Sequence, residues 1–257
     1  MQRYLHKNIV DIKHLLALSL NKSLTWIWSN SDYLLSKKEI IKLEDLIKQR
    51  EKGVPFAYLE GIKSFYHLDF IVDKNTLIPR PETELIIDIV KELKLQKCAM
   101  LDLGTGSGII AITLKDLFQS WQVSACDLLS KTLNIAKKNA IKNNTNINFI
   151  QSNWFENIDG KFDLIISNPP YIAENDSHLS FLKFEPISAL TSKDNGLFDI
   201  KEIIKNANNY LNKGGYLILE HGYNQRDEIL ELLGNYCNIK TFNDLNSQHR
   251  VILAQCC

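Results

Sequence analysis

A short apolar strand, a glycine-rich turn and an apolar helix follow one another between residues 100 and 117, and this order constrains the fold most strongly. Met100–Leu103 is typical of a buried strand, and the pattern from Ile109 to Leu117 is typical of a helix. The glycines of the intervening Gly104–Gly108 permit a tight turn and bring backbone N–H groups close to a ligand. The stretch therefore predicts a strand–helix unit with a ligand at its turn.

The alternation of strand and helix patterns continues to the end of the chain. Further strands are predicted at Gln122–Cys126, Ile147–Ile150, Phe162–Ile166, Gly215–Glu220 and Val251–Ala254. Each is short and mostly apolar, and helical patterns separate them. Alternation of this kind predicts an α/β domain with a doubly wound, mostly parallel sheet.

Three residues after the second and third strands favour a nucleoside ligand. Asp127 ends the second strand, where a carboxylate can accept both ribose hydroxyls; the alternative is a helix cap from Leu128 onward. After the third strand, Asn153 can meet the polar edge of an adenine and Trp154 can cover its ring, although Trp154 also fits a core position. NAD is disfavoured, because Ile109 occupies the third glycine position of the dinucleotide fingerprint.

The fourth strand ends in Ser167-Asn168-Pro169-Pro170-Tyr171. The two prolines stop the strand, because neither can donate to a sheet ladder. Asn168 then lies at a carboxyl strand end, where open α/β sheets bind ligands. Its side-chain carbonyl and the backbone carbonyl of Pro169 are two fixed acceptors beside the ring of Tyr171, which suits a planar –NH2 group. The alternative is a plain proline turn.

The first 76 residues show no sign of chemistry. Residues 1–60 carry helical spacing and predict a small helical bundle, with Ser36 and Glu39 forming a cap and with Trp26 and Trp28 in its core. Residues 61–76 predict a β-hairpin linker, and residues 77–257 form the main domain.

A stiff loop opens the main domain. Prolines flank Arg80, and Glu82 and Glu84 follow at the start of an apolar helix from Leu85 to Leu93. Acidic residues in a first helical turn usually complement the helix dipole. The alternative is that these two carboxylates line the site.

Composition excludes several classes of protein. Lysine plus arginine and aspartate plus glutamate each number 30, and a formal net charge of zero argues against a strongly electrostatic nucleic-acid binder. No apolar run approaches bilayer-spanning length, and the first residues lack the apolar core of a signal peptide. The cysteines form no C-x-x-C pair, so Cys98 and Cys126 are expected to be reduced core thiols. A cytoplasmic protein without direct nucleic-acid or membrane binding is predicted.

Taken together, these motifs resemble a class I S-adenosylmethionine-dependent methyltransferase, and more closely the PrmC/HemK family of peptide chain release factor glutamine methyltransferases. The resemblance runs over nearly the whole chain, and its distinctive pieces are Gly53-Val54-Pro55 with Tyr58 and Gly61, Leu77–Glu84, Leu101–Gly108, Asn168–Tyr171, and Phe184-Glu185-Pro186 with Ala189-Leu190. The glycine loop is shared by many methyltransferases, whereas the Pro-Arg-Pro-Glu-Thr-Glu stretch joined to Asn-Pro-Pro-Tyr is far more specific.

The resemblance implies a Rossmann-like sheet of seven strands, the last antiparallel, with a small N-terminal helical domain that recognises the release factor. It implies methylation of the glutamine side-chain amide in the Gly-Gly-Gln motif of class I release factors, with S-adenosylmethionine as the methyl donor and S-adenosylhomocysteine as the product. By the same resemblance the cofactor binds at Gly104, Thr105, Gly106, Ser107, Gly108, Asp127, Trp154 and Asn168. Asn153 departs from the family, in which aspartate is common at this position.

The implied chemistry agrees with the central stretch. Asn168, Pro169 and Tyr171 are the expected catalytic residues, and together with Pro170 they are expected to bind the substrate amide. Catalysis would rest on positioning and electrostatics, because two acceptors can aim a weakly nucleophilic amide nitrogen. No metal is expected, because the six histidines form no ligand-spaced cluster. A monomer is expected.

Two other functions stay open. An exocyclic amino group of a nucleic-acid base fits the same acceptors and stacks on the same tyrosine, which would make the chain a nucleic-acid methyltransferase. Neutral net charge and the absence of a basic N-terminal extension argue against it. A non-catalytic S-adenosylmethionine- or nucleotide-binding module is the other alternative, and the intact Asn168–Tyr171 stretch argues against that one.

Overall fold

The computed structural model describes residues 1–5 and 9–257 and divides into two compact units, Met1–Gly61 and Ile62–Cys257. Helices α1 to α11 are Gln2–Leu5, Ile12–Leu20, Leu24–Ser29, Lys37–Glu51, Phe56–Glu60, Glu84–Glu92, Ile109–Leu117, Ser130–Lys142, Lys193–Gly196, Phe198–Ala207 and Arg226–Leu232. Short 3-10 helices lie at Pro81–Thr83, Ser177–Leu182 and Ile187–Ala189.

The N-terminal unit is helical, as predicted, although residues 6–8 of the predicted segment lie outside the described residues. Its core is apolar and centres on Leu15, Leu16, Ile27 and Leu43. The predicted cap is confirmed, because Ser36 and Glu39 form a reciprocal capping box at the start of α4.

The prediction that Trp28 belongs to the core of this unit is wrong. Trp28 is 65% exposed, and the Lys13 ammonium lies 3.4 Å from the centroid of its ring. A cation over an aromatic face is favourable even in water, so this tryptophan is held at the surface. Trp26 is only partly buried, and it packs edge-on against Tyr33.

The second unit contains all the described strands. Strands β1 to β11 are Ile62–Phe65, Leu68–Ile71, Ala99–Leu103, Gln122–Asp127, Asn148–Gln151, Phe162–Ser167, Ile172–Ala173, Thr191–Ser192, Leu211–Glu220, Tyr236–Asn243 and His249–Cys256. Seven of them form one sheet in the order β10-β11-β9-β6-β3-β4-β5. Strand β6 pairs in parallel with β3, β3 with β4, and β4 with β5, and β6 also pairs in parallel with β9. Strand β11 is antiparallel to both of its neighbours, β9 and β10. The predicted seven-stranded, mostly parallel sheet is confirmed.

Helices cover both faces of this sheet, so the fold is doubly wound. On one face α6 and α7 bury residues such as Ile86, Ile110 and Leu114 against the strands. On the other face α10 and α11 bury Ile200 and Ile229. Because both faces are covered, the central strands are apolar on both sides, which explains why they are easily recognised in the sequence.

The hairpin before the sheet belongs to the second unit. Strands β1 and β2 pair antiparallel from Ile62↔Ile71 to Phe65↔Leu68. Tyr66 in the turn has a φ of 56°, and its N–H donates to Glu84 Oε1 at 2.8 Å. Glu84 therefore ties the hairpin to α6 and does not enter the site. Glu82 and Glu84 are both half-buried, and neither lines the cleft at the strand ends.

The topology places two predicted ligand-binding segments side by side. Strands β3 and β6 are neighbours, and the chain order reverses between them. The glycine loop follows β3 and Asn168 follows β6, so both lie at the switch point where open α/β sheets bind ligands. The order of the strands in the sheet is thus enough to bring the glycine loop and Asn168 together.

Two further expectations concern the cysteines and the membrane. Cys98 and Cys126 are buried free thiols, and burial raises the pKa of each to about 12. Both are therefore protonated core residues at neutral pH. Within the described part of the chain, every helix is too short or too polar to cross a lipid bilayer.

Candidate active site

A cleft opens at the carboxyl ends of β3, β4 and β6. Most of the predicted site residues line it, namely Gly104, Thr105, Gly106, Ser107, Asp127, Trp154, Asn168 and Pro170. Arg80, Thr83, Asn153 and Asp199 line it as well. The fold thus brings together the segments that follow β3, β4 and β6, which lie far apart in the sequence.

The glycine loop forms the floor of this cleft with its backbone. Gly104 has a φ of 71°, and a Cβ built on it would lie 3.2 Å from the ring of Trp154. A larger residue would be strained and would press on that ring. Gly108 is different, because it is buried at the start of α7, where a Cβ would lie 2.7 Å from Ile112 Cδ1. Gly108 is not among the residues that line the cleft, so its contribution is to the turn.

Asp102 and Thr105 support the loop from below. The Thr105 hydroxyl donates to Asp102 Oδ2 at 2.6 Å, and the Ala111 N–H donates to the same oxygen at 3.3 Å. Burial raises the pKa of Asp102 to about 7. Oδ1 of this carboxyl is buried without a hydrogen-bond partner among residues 1–5 and 9–257. Asp102 therefore holds the glycine loop in place, although burying one of its carboxyl oxygens without a hydrogen bond costs free energy.

Asp127 points its carboxyl into the cleft from the end of β4. Its Oδ2 accepts from the Gly106 N–H at 3.1 Å, and its Oδ1 accepts from the Leu129 N–H at 3.0 Å. Burial raises the pKa of Asp127, and hydrogen bonds from Leu129 and Gly106 oppose the shift. Helix α8 begins at Ser130 with Leu129 at its N-cap, so Asp127 orders the preceding turn and is not the cap itself.

Trp154 forms a side wall of the cleft. Its backbone has a φ of 46°, and its indole N–H donates to Asp199 Oδ1 at 3.1 Å. The ring lies against Gly104, lines the cleft and also packs on the core of the adjacent sheet face. Asn153 also lines the cleft, and its amide donates to Glu156 Oε1 at 2.8 Å.

A second pocket adjoins the first. It is lined by Leu77, Arg80, Asn168, Pro169, Tyr171, Ile172, Leu182, Ala189 and Leu190. Pro169 and Tyr171 line only this pocket, whereas Asn168 and Arg80 line both. Asn168 thus stands on the shared wall, with the glycine loop and Asp127 on one side and an apolar slot on the other.

The side chain of Asn168 has a defined orientation. Its Nδ2 donates to Thr83 Oγ1 at 3.2 Å, which leaves Oδ1 as the acceptor of this amide. The Tyr171 hydroxyl donates to Glu220 Oε1 at 3.2 Å. Burial, followed by the charge of Glu220, raises the pKa of Tyr171, so the phenol is neutral and acts as a donor.

Several residues of the site escaped prediction from the sequence. Arg80 pairs with Glu185 at 2.5 Å, and the Ile78 N–H donates to the same carboxylate at 3.0 Å. This pair joins the stiff loop to the segment after β7. Arg80 and Thr83 fall in the Pro-Arg-Pro-Glu-Thr-Glu stretch and Glu185 in Phe184-Glu185-Pro186, so the sequence marked these segments without giving the three residues a role in the site. Nothing near Glu220 in the sequence marks that residue.

Comparison with known proteins finds related methyltransferases. A family model described as the methyltransferase small domain matches residues 81–184, and one described as the PrmC N-terminal domain matches residues 2–61. The release factor glutamine methyltransferase of Haemophilus influenzae is 38% identical over 263 residues, covering 95% of this chain and 90% of that protein. That of Vibrio cholerae is 42% identical over 254 residues, covering 94% of this chain and 86% of that protein.

Solved structures share the fold at lower identity. A methyltransferase from Pyrococcus furiosus has a TM-score of 0.60 and 18% identity, covering 81% of this chain and 98% of its own. A 16S rRNA methyltransferase from T. thermophilus, solved with AdoMet and guanosine, has a TM-score of 0.57 and 15% identity, covering 76% of this chain and 50% of its own. At these identities the likeness concerns the fold.

Proposed function

Because this chain belongs to the family of release factor glutamine methyltransferases, we propose that it methylates the glutamine side-chain amide in the Gly-Gly-Gln motif of class I peptide chain release factors. S-adenosylmethionine is the proposed methyl donor. One observation carries the proposal: Asn168 stands between a cleft suited to a nucleoside and a slot suited to a flat amide.

The residues of the cleft at the strand ends fit this cofactor. Asp127 offers a carboxylate to ribose hydroxyls, Trp154 offers a flat face to an adenine, and the loop at Gly104 leaves room for close approach. The cofactor supplies an electrophilic methyl group on a sulfonium when it is bound. Asn168 is placed to face that methyl group from the shared wall.

The second pocket suits a primary amide. Asn168 Oδ1 and the Pro169 carbonyl would accept the two N–H bonds, while Tyr171 confines the plane of the group. The nitrogen lone pair of an amide is delocalised into its carbonyl, so holding both N–H bonds aims a weak nucleophile. An N-alkylated, protonated amide is a strong acid and loses its proton to water, so no dedicated base is required.

The remaining expectations follow from the substrate. Release factors act in translation termination, which assigns this enzyme to the cytoplasm. We assign recognition of the release factor to the N-terminal helical unit, because the residues proposed for chemistry all belong to the second unit. The enzyme is proposed to act as a monomer.

Methyl transfer to a purified class I release factor tests the proposal. The protein is incubated with methyl-labelled S-adenosylmethionine and the release factor, and label is expected on the motif glutamine by mass spectrometry. A release factor with Gly-Gly-Ala in place of Gly-Gly-Gln is the matched control and should stay unlabelled. A parallel incubation offers RNA and DNA instead. Label in nucleic acid and none in the release factor would establish the exocyclic-amino alternative.

A further inference from the structure

We propose that Asp199 is a positioning residue of the cleft, and that it fixes the plane of the Trp154 ring so that this ring covers an adenine. The inference rests on the proposed function, because it takes S-adenosylmethionine as the ligand of the cleft. It gives a role to a carboxylate that lies 45 positions along the chain from Trp154, at the start of α10.

The backbone at Trp154 is held in an uncommon conformation. Its φ of 46° lies in the left-handed region, which costs a bulky residue free energy. The carbonyl of Trp154 accepts from Ser152 Oγ at 2.8 Å and from the Cys126 thiol at 3.6 Å, and both donors are buried. These contacts fix where the side chain begins, but the tilt of the ring still depends on its own torsions.

Asp199 holds the far edge of the ring. The indole N–H donates to Asp199 Oδ1 at 3.1 Å. This N–H is the one polar group of a tryptophan side chain, and leaving it unpaired in a partly buried position costs free energy. The outer torsion of a tryptophan has a broad energy well, so the ring turns easily unless a partner holds it. The bond to Asp199 therefore selects one plane for the ring.

The carboxylate of Asp199 has a rigid base. Helix α10 buries the neighbouring Ile200 and Ile203 completely against the sheet. The Asp199 N–H donates to Ser192 Oγ at 3.1 Å, and Ser192 is buried. The start of the helix thus has a fixed position, so Asp199 holds the indole more firmly than a residue on a free loop would.

The plane of the ring decides the shape of the cleft wall. Trp154 and Asp199 both line the cleft, and the ring approaches Gly104 so closely that a Cβ there would lie 3.2 Å from Trp154 Cζ3. A turned ring would press on the glycine loop or move away from it. In the first case the cleft narrows, and in the second the base loses a flat surface on which to stack.

An acidic residue in a first helical turn also complements the helix dipole, which is the plain alternative for Asp199. An ion pair does not explain the residue, because none of the ion pairs among residues 1–5 and 9–257 includes it. The two roles differ in what they need. The dipole needs the negative charge, whereas the indole N–H needs only an acceptor, and an asparagine oxygen supplies one.

Calorimetry with S-adenosylhomocysteine tests the inference on the full chain. Asp199→Ala should weaken binding about tenfold, the scale for losing a hydrogen bond to a charged group. Asp199→Asn should bind within about threefold of the parent, because its amide oxygen still accepts from the indole. Glu202→Ala is the matched control, since Glu202 is on the same helix but outside the cleft, and its affinity should not change.

A double-mutant cycle shows whether Asp199 acts through the indole. Trp154→Phe keeps a flat ring and removes the N–H, and it should also weaken binding. Adding Asp199→Ala to Trp154→Phe should cause no further loss, because the two changes remove one interaction. Adenosine should lose affinity by the same factor as S-adenosylhomocysteine in Asp199→Ala, since it carries the adenine without the amino-acid tail.

A spectroscopic readout reports the contact without any ligand or turnover. In a heteronuclear NMR spectrum, the indole N–H signal of Trp154 is identified as the one missing from Trp154→Phe. It should shift in Asp199→Ala, because a lost hydrogen bond changes the shielding of the indole proton. In Asp199→Asn it should stay near its position in the parent.

Each outcome bears on the inference. Parental affinity in Asp199→Ala, a further loss from it in the Trp154→Phe background, or an unshifted indole signal overturns the inference and leaves the proposed function intact. Equal losses in Asp199→Asn and Asp199→Ala also overturn it, because the helix dipole would then explain both. If Asp199→Ala does not fold, Asp199→Ser replaces it, since serine is favourable at a helix start and too short to reach the indole.

Failure of the proposed function gives a different pattern. A protein that shows all the expected changes in binding but does not methylate the release factor overturns the proposed function alone. A parent that binds neither S-adenosylhomocysteine nor adenosine overturns both the proposed function and the inference.

Discussion

The two units of this chain bury different kinds of residue. The described core of Met1–Gly61 is almost purely apolar, and Ser19 is the one polar residue buried there. The second unit buries Thr76, Thr83, Asp102, Thr105, Ser107, Thr113, Thr132, Asn139, Ser152, Ser167, Glu185, Ser192, Glu220, His221 and Gln225.

Buried polar groups cost free energy unless they are hydrogen-bonded, so a stable core does not need them. In the second unit many of them lie beneath the cleft or the slot, where they hold loops and orient side chains. Asp102 supports the glycine loop, and Thr83 orients Asn168. The buried polar groups of the second unit therefore lower its stability but fix the geometry of the site. The first unit buries almost only apolar side chains, which stabilise it by packing.

The largest expected effect comes from truncating Asn168. Asn168→Ala should lower turnover by roughly two to three orders of magnitude, the scale for losing a preorganised polar contact in the transition state. Measured kcat with saturating cofactor checks this. An Ala variant as active as the parent, with an unchanged melting temperature, would sink the acceptor mechanism.

Asn168→Asp sharpens the same test. Aspartate still accepts, but its charge favours the sulfonium of the bound cofactor, which loses charge as the methyl group leaves. We expect tighter cofactor binding and a turnover between those of Asn and Ala. Weaker cofactor binding in the Asp variant would contradict this electrostatic argument.

The buried carboxyls of the second unit should make its stability depend on pH. Burial raises the pKa of Asp102 from 3.8 and that of Glu220 from 4.5, each to about 7. The folded state then holds protons that the unfolded state has lost, so stability is greatest below the unfolded values and falls as pH rises toward 7. The fall should be on the order of a few kcal/mol between about pH 4 and about pH 8.

Urea unfolding at several pH values measures this fall. Asp102→Asn should reduce the slope, because it removes one of the two titrating groups. Asp159→Asn is the matched control, since Asp159 is exposed and should leave the slope unchanged. A parent protein whose stability rises across the same interval would show that other groups dominate.

A smaller effect is expected for the cofactor-binding acid. Asp127→Ala should weaken binding of S-adenosylhomocysteine by about 1.5–3 kcal/mol, the range for hydrogen bonds to a charged group. Asp127→Asn is the matched variant, because its oxygen can still accept from the Gly106 or Leu129 N–H while the charge is lost. Calorimetry gives both affinities. Unchanged affinity in Asp127→Ala would restrict the residue to ordering the turn.

The smallest effect concerns the surface of the N-terminal unit. Trp28→Ala should raise the KM for the release factor by about fivefold to tenfold, since an interface tryptophan typically contributes about 1 kcal/mol or more. Its kcat and cofactor affinity should stay at the values of the parent. Leu245→Ala, at an exposed apolar position of the second unit, is the control. Equal KM values for Trp28→Ala and the parent would remove this tryptophan from the proposed recognition surface.

Local patterns in the sequence were enough for most of the architecture. Helix α7 was predicted with its observed bounds, and the central strands were predicted within a few residues, because strands buried on both faces are continuous apolar runs. Strand β10 was not predicted. It lies at the edge of the sheet, and its polar and apolar residues do not alternate strictly, so the strand signal is weak.

The sequence by itself determined which segments carry polar groups at strand ends: the glycine loop, Asp127 and Asn168. Only the tertiary structure decided what those groups contact. The pairing of β6 with β9 brings Glu220 beside the Asn168–Tyr171 stretch, where it accepts from Tyr171, and the turn before α6 brings Thr83 to Asn168. Strand order sets these neighbours, and a hydrogen bond depends on distance in space, so no spacing along the chain encodes them.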